Sequence, residues 1–103
     1  MAKAALGLWH KREKFFEQAV VYYRKALELD PASDETYYNL GNALAAMENY
    51  PDAAEVYLQA LKLNSEHIDA RNNLAVSYRR MGFLAKAEEQ LIILGRLKRE
   101  KNP

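Results

Sequence analysis

A period of 34 residues runs through the chain and constrains its fold more than any other feature, because Leu6, Leu40 and Leu74 are each 34 positions apart. Shifting the sequence by this period aligns residues of similar size and polarity. The further columns are Gly7, Gly41 and Ala75; Phe16, Tyr50 and Leu84; Ala19, Ala53 and Ala87; Tyr23, Tyr57 and Leu91; Ala26, Ala60 and Leu94; and Leu29, Leu63 and Leu97. Three units account for nearly all of the 103 residues. The periodicity predicts an array of stacked units without one central core.

The spacing inside each unit predicts two helices. Apolar residues recur three or four positions apart, as in Phe16, Ala19 and Tyr23, which is typical of an amphipathic helix. Turn residues separate the segments, since Pro31 disfavours helix before it and Pro51 suits the first turn of the next helix. The pattern predicts six helices, at about 2–14, 16–29, 34–47, 51–63, 68–81 and 85–98. They form one domain over residues 1–103, in repeats of approximately 1–33, 34–67 and 68–101.

The columns resemble the tetratricopeptide repeat (TPR) family over nearly the whole chain. The middle repeat supplies the residues of the family pattern, namely Tyr37, Leu40-Gly41, Leu44, Ala53, Tyr57 and Ala60. Departures occur at Lys3 and Arg71, which replace the leading aromatic residue, and at Ser65, which replaces a proline. The resemblance implies an all-α, right-handed solenoid of three helix-turn-helix units whose helices run antiparallel.

Composition excludes several function classes. Fifteen Lys and Arg face 14 Asp and Glu, so a net charge of +1 provides no global field to attract nucleic acid. The absence of cysteine excludes disulfides and thiolate metal sites. No apolar run approaches the length of a membrane span, and the amino terminus is unlike a secretory signal. We therefore expect no nucleic-acid or membrane partner, and a cytoplasmic chain or a segment of a larger protein.

Residues that could support catalysis or bind a cofactor are sparse. His10 and His67 are the only histidines, and neither has a suitably spaced carboxylate. His10 shares a column with Leu44 and Tyr78, which predicts a packing role, whereas His67 is predicted to be a solvated turn residue. No glycine-rich loop or nucleophile motif is present. The sequence therefore predicts a non-catalytic chain without metal or cofactor.

In the TPR family the first helices of successive repeats line a concave groove, and the resemblance implies the same here for a protein or peptide partner. By column, the groove would take Ala4, Ala5 and Leu8, then Glu35, Tyr38, Asn39, Asn42 and Ala46, then Asp69, Asn72, Asn73, Val76 and Arg80. Asn39 and Asn73 lie one period apart, and an amide can pair with both groups of a ligand's backbone. The alternative, that these asparagines only face solvent, stays open at this point.

One TPR subclass clamps the carboxylate at the C terminus of chaperones with five polar or basic residues. The matching places here hold Ala4, Leu8, Asn39, Asp69 and Asn73. Only Asn39 is retained, so no carboxylate clamp is expected. Basic residues at the ends of the inner helices, including Arg79 and Arg80, indicate either a preference for acidic peptides or a favourable interaction with the helix dipole.

The last helix carries Ile92 and Ile93 where the first repeat has Arg24 and Lys25. Together with Leu97, they predict an apolar face at the end of the array, and such faces often mediate self-association. The sequence thus leaves three interpretations: a peptide-binding scaffold, a self-associating structural module that acts through its terminal helices, and the targeting region of a larger protein.

Overall fold

The computed structural model describes the backbone of residues 2–101 and the side chains of residues 10–101. Within this range it contains five helices: α1 (Ala2–Leu29), α2 (Asp34–Ala46), α3 (Tyr50–Leu63), α4 (Ile68–Arg80) and α5 (Leu84–Lys101). Each helix packs on the next along the chain, and α2 also touches α4. The described chain measures 51 × 35 × 23 Å, so it is elongated, as stacked repeats require. This confirms the predicted all-α repeat fold.

The first two predicted helices form one continuous helix in the structure, so the prediction of a break near residues 14–16 was wrong. In the other two repeats, the inter-helix turn contains a residue with positive φ: Glu48 at 62° and Gly82 at 81°. In the first repeat, Lys14 occupies the position equivalent to Glu48 and Gly82, and no proline follows it at the position equivalent to Pro51. Without these turn signals the helical hydrogen bonds continue uninterrupted. The remaining helix ends agree with the prediction to within three residues.

Two side-chain caps fix where the inner helices begin. The hydroxyl of Ser33 accepts a hydrogen bond from the backbone N–H of Thr36 at 3.2 Å, which starts α2. Nδ1 of His67 accepts from the N–H of Ala70 at 3.0 Å, which starts α4. His67 is buried, with its ring centroid 4.8 Å from that of Tyr38. The prediction of a solvated turn residue was therefore wrong, because the imidazole both caps a helix and packs.

The main buried cluster comes from α2, α3 and α4. Its members share close helix–helix packing and include Leu40, Leu44, Ala53, Tyr57, Ala60, Ala70 and Leu74. The tightest approach is between Gly41 and the ring of Tyr57. A methyl group at position 41 would lie 2.7 Å from Cδ1 and 2.8 Å from Cζ of Tyr57, so only glycine fits. The Leu-Gly column seen in the sequence therefore marks the place where two helices meet most closely.

The two ends of the array are less buried than its middle. α1 contacts α2 alone, and α5 contacts α4 alone among the described helices. His10 is exposed, so the prediction that it packs was wrong. Its part of α1 does not fold back onto a neighbouring helix. Among residues 2–101, no helix combines the length and apolar character that a membrane crossing requires.

Candidate functional site

A cavity of about 310 Å³ opens between α2, α3 and α4 and is called the central cavity here. Its walls are Asn42, Ala45, Ala46, Tyr50, Tyr57, Asn73, Val76, Ser77 and Arg80. The volume lies at the lower end of the range for ligand sites, which is roughly 300–1,000 Å³. The cavity therefore suits one or two side chains of a polypeptide better than a large cofactor.

A hydrogen-bond network forms the polar floor of this cavity. The hydroxyl of Tyr57 donates to Oδ1 of Asn42 at 2.6 Å, and Nδ2 of Asn73 donates to the same oxygen at 2.9 Å. These bonds use both lone pairs of that oxygen. Both Nδ2 hydrogens of Asn42 then have no partner among the described side chains, whereas the amide of Asn73 also interacts with the hydroxyl of Tyr57. The floor can therefore offer amide donors to a ligand without giving up a bond that holds the repeats together.

Burial also changes the acidity of the hydroxyl group in this network. It raises the pKa of Tyr57 from 10.0 to about 12, because its phenolate would be poorly solvated between the helices. The hydroxyl therefore keeps its proton to a higher pH than a free tyrosine does, and in the protonated state it donates to Asn42.

The rim of the central cavity combines apolar and cationic groups. Val76 is 43% exposed, so a ligand can reach its side chain without disturbing the core. The guanidinium carbon of Arg80 lies 6.0 Å from the ring centroid of Tyr50, at the outer limit for a cation–π contact. A ligand with an apolar side chain beside an acidic group would match this rim.

A second cavity of about 260 Å³, called the α1–α2 cavity here, is lined by Phe15, Phe16, Ala19, Tyr23, Asn39, Asn42 and Ala43. It corresponds to the central cavity shifted by one period. Phe16, Tyr23 and Asn39 match Tyr50, Tyr57 and Asn73, while Asn42 and Ala43 match Val76 and Ser77. Asn42 lines both cavities. The predicted pair Asn39 and Asn73 thus occupies equivalent places one repeat apart.

The structure brings together only part of the predicted groove. Asn42, Ala46, Asn73, Val76 and Arg80 share the central cavity, and Asn39 lines its neighbour. The predicted residues that line neither cavity are Glu35, Tyr38, Asp69 and Asn72. Ala4, Ala5 and Leu8 lie outside the described side chains.

Tyr38 packs between two aromatic rings of the chain itself. Its ring centroid lies 4.8 Å from that of His67 and 6.3 Å from that of Tyr57. Tyr50 and Tyr57 were recognised from the sequence only as members of repeat columns, and their place in the cavity wall was missed. The available signal was the hydroxyl group of Tyr57, since a buried phenol in a core column needs a polar partner.

Asp34, Glu35 and His67 place ligand atoms within 4.8 Å of one another, and this cluster merits a test as a metal centre. Nδ1 of His67 accepts from the N–H of Ala70, so a neutral ring carries its proton on Nε2, which lies 2.8 Å from Oε1 of Glu35. No nitrogen lone pair remains for a metal. The cluster is better explained as a helix cap oriented by a carboxylate.

The predicted apolar end of the array is only partly exposed. Ile92 is 64% exposed and Ile93 is half-buried, whereas Leu97 is only 7% exposed. Leu97 therefore cannot contribute to a surface as predicted, because it lies on the face of α5 that meets α4. Leu84 and Leu91 extend the exposed apolar side of α5 instead.

Comparison with known proteins adds independent information about this arrangement. The family model described as TPR repeat matches residues 15–48 and 41–82, which is more than half of the chain. The tetratricopeptide repeat-containing protein trd-1 of Caenorhabditis elegans is 34% identical over 86 residues, which cover 84% of this chain and 11% of that protein. The chain thus spans about a tenth of the length of this relative.

Solved structures share the same helical arrangement. The second TPR of Spaghetti (RPAP3), bound to the HSP90 peptide SRMEEVD, superposes with a TM-score of 0.77 at 21% identity, covering 80% of this chain and 76% of that one. The Yersinia enterocolitica chaperone SycD, in complex with a peptide of the translocator YopD, gives 0.78 at 22% identity, covering 90% and 71%. These likenesses show a common fold. Together with the 34-residue period and the matching family model, they show that the chain belongs to the TPR family.

Proposed function

We propose that this chain is a non-catalytic interaction domain that binds a segment of a partner protein in its concave groove. The observation that carries the proposal is the central cavity, where Asn42, Asn73, Val76 and Arg80 meet around unpaired amide hydrogens. Two proteins of the same fold, Spaghetti and SycD, hold peptides in their solved structures, which supports a peptide as the ligand.

The chemistry of the cavity indicates how such a segment would be held. The free Nδ2 hydrogens of Asn42 can donate to carbonyl oxygens of the ligand backbone, which every peptide carries. Val76 and Tyr50 would contact one apolar side chain, and Arg80 would favour a neighbouring carboxylate. A second amide, Asn39, lies one repeat away in the α1–α2 cavity. An extended segment crossing both cavities could therefore pair with an amide in each.

This mode differs from clamping a chaperone's C-terminal carboxylate. Two of the three clamp places on described side chains hold Asp69 and Asn73, where the clamp has cations. The exposed carboxylate of Asp69, in the first turn of α4, would repel a terminal carboxylate. We therefore propose internal, extended segments as ligands in preference to free C termini.

The test is to select binders from a displayed peptide library and to measure their dissociation constants by calorimetry. Val76→Asp should weaken binding at least about tenfold, which corresponds to about 1.4 kcal/mol, because it places a carboxylate against the ligand's apolar side chain. Asn73→Ala should also weaken binding, since it removes a hydrogen bond that orients the amide of Asn42. Arg79→Ala is the control, because Arg79 is exposed on the same helix and lines neither cavity.

Circular dichroism would verify that the variants stay helical. Equal affinity of the selected peptides for wild type, Val76→Asp and Asn73→Ala would contradict the central cavity as the binding site. Loss of binding in the Arg79→Ala control would place the ligand on another side of α4 instead.

A second candidate function is assembly of copies of this chain through α5. The exposure of Ile92 and Leu84, at 64% and 65%, favours it. Ile92→Lys should then reduce the sedimenting mass at high concentration, while Leu63→Lys, a lysine at an exposed leucine of α3, should not. An unchanged mass in Ile92→Lys would reject α5 as an assembly surface.

The domain limits and the location remain part of the proposal. The sequence predicts one domain over residues 1–103 and a cytoplasmic chain or a segment of a larger protein. Limited proteolysis should leave the three repeats as one resistant fragment, and fractionation of cells that express the tagged chain would measure its location.

A further inference from the structure

One carboxamide joins two hydrogen-bond donors in the central cavity. Oδ1 of Asn42 accepts from the hydroxyl of Tyr57 at 2.6 Å and from Nδ2 of Asn73 at 2.9 Å. The donors come from α3 and α4, and Asn42 reaches them from α2. This contact shows which chemical group the two donors accommodate, namely a neutral carboxamide whose oxygen accepts two hydrogen bonds.

The α1–α2 cavity contains an equivalent pair of donors without that carboxamide. Tyr23 and Asn39 both line this cavity, one period before the two donors of the central cavity. Both residues are half-buried, and neither the hydroxyl of Tyr23 nor the side-chain amide of Asn39 forms a hydrogen bond with a described residue. One period before Asn42 the sequence has Leu8, whose side chain carries no acceptor. The repeat therefore supplies no group of its own to join this pair.

The α1–α2 cavity is lined by uncharged residues, which favours a carboxamide over a carboxylate as its ligand. The central cavity has Arg80 in its wall, but the position one period earlier holds Ala46, and the described lining of the α1–α2 cavity includes no lysine or arginine. A carboxylate there would lose solvation without gaining a cation. It would also have no proton to donate to Oδ1 of Asn39, whereas the NH2 group of a carboxamide can donate to that oxygen.

We propose that the α1–α2 cavity is a subsite for the side chain of an asparagine or glutamine in the bound segment. Its oxygen would accept from the hydroxyl of Tyr23 and from Nδ2 of Asn39, and its NH2 group would donate back to Asn39. The rings of Phe15 and Phe16, 5.2 Å apart, would contact the CH2 groups of the same side chain. The inference rests on the proposed peptide-binding function and adds to it a preference for one class of residue.

The distance between the two cavities determines where this residue lies in the ligand. Asn39 belongs to α2 and Asn73 to α4, and these two helices are in contact. Packed helices have axes about 8–10 Å apart, and an extended segment rises about 3.3 Å per residue. The asparagine or glutamine should therefore lie about two or three positions from the ligand residue that contacts Val76.

Peptides selected from the displayed library test this subsite. They should carry asparagine or glutamine at that fixed position, and replacing it in the peptide with alanine should weaken binding about tenfold, because two or more hydrogen bonds are lost. In the Tyr23→Phe variant the same peptide change should weaken binding by about threefold or less, since one donor is already absent. Tyr22→Phe is the matched control and should keep the full difference: it removes a hydroxyl from the adjacent residue, which is 69% exposed and does not line the cavity.

The outcomes separate this subsite from the central cavity. No preference for asparagine or glutamine at that position, a preference for aspartate or glutamate there, or an unchanged tenfold difference in Tyr23→Phe would overturn the proposal. Val76→Asp should weaken both peptides equally and leave their ratio unchanged, because Val76 lines only the central cavity. Peptides that bind Val76→Asp as well as the wild type would contradict the central cavity instead, while the Tyr23→Phe comparison would still report on the α1–α2 cavity.

Discussion

Replacing Gly41 with alanine should destabilise the protein even though alanine is the better helix former. The added methyl group would lie 2.7 and 2.8 Å from two ring atoms of Tyr57, well inside normal van der Waals contact. The ring cannot move aside freely, because it is 1% exposed and its hydroxyl is bonded to Asn42. The helices must therefore separate, or the ring must rotate and lose that hydrogen bond.

The opposing contributions can be compared in magnitude. Overpacking a tight core typically costs about 1–3 kcal/mol, and a lost internal hydrogen bond costs about 1 kcal/mol. Alanine in place of glycine within a helix stabilises by only about 0.5–1 kcal/mol. We therefore expect Gly41→Ala to lower the free energy of unfolding by about 1–3 kcal/mol. For a domain of about 100 residues, each kcal/mol corresponds to a Tm decrease of roughly 4–8 °C.

Urea unfolding followed by helical circular dichroism measures this change, and Gly95→Ala supplies a control of opposite sign. Gly95 also lies inside a helix, but a methyl group there would meet nothing within 4 Å, so only the helix-propensity gain remains. Gly95→Ala should stabilise by about 0.5–1 kcal/mol. If Gly41→Ala stabilised as much as Gly95→Ala, the close packing of α2 on Tyr57 would not exist in solution. Combining Gly41→Ala with Tyr57→Leu should remove part of the penalty, because the two residues are in direct contact.

Further predictions concern Tyr57, the α4 cap, the last turn and the ligand class. The pKa of Tyr57 rises from 10.0 to about 12 on folding, so its contribution to the free energy of unfolding is present below pH 10 and is lost towards pH 12. This loss should be on the order of 2–3 kcal/mol. Urea titrations at several pH values should show the loss in the wild type and not in Tyr57→Phe. His67→Ala should cost about 1–2 kcal/mol in unfolding experiments, whereas His67→Asn, which retains a cap acceptor, should cost less. Gly82→Ala should lower Tm, because alanine is strained at a φ of 81°. A fluorescent SRMEEVD peptide should show no specific change in anisotropy, since the clamp cations are absent.

The repeat period was sufficient to predict the fold because stacked units depend on local contacts. Each column of the alignment reports one helix–helix contact, so Leu40, Gly41, Ala53 and Tyr57 could be assigned to the core before any coordinates. The break inside α1 could not be predicted from the columns. A column shows which residue would pack if the two helices of a repeat were joined by a turn, but it does not show whether the turn forms. Lys14 is not a residue that favours such a turn, so the helix continues.

The site was harder to predict than the fold, since side-chain orientation depends on neighbours from several helices. Asn42, Asn73, Val76 and Arg80 were placed in the groove by column, and the structure gathers them around one cavity. Tyr38 was expected to meet a ligand, but it packs beside the ring of His67. The sequence gives no local sign of that contact, because the two residues are far apart along the chain.

The distribution of burial also bears on where binding takes place. The main buried cluster lies between Leu40 and Leu74, and the central cavity is built on the same three helices, so its walls are held by the best-packed part of the molecule. A ligand bound there needs to order little of the protein, which favours affinity. The exposed apolar residues lie mostly at the ends, with Leu29 at 89% and Leu84 at 65%. The proposed partner site lies in the well-packed middle and the proposed contacts between copies lie on an outer helix, so each proposal can be tested by mutation without altering the other.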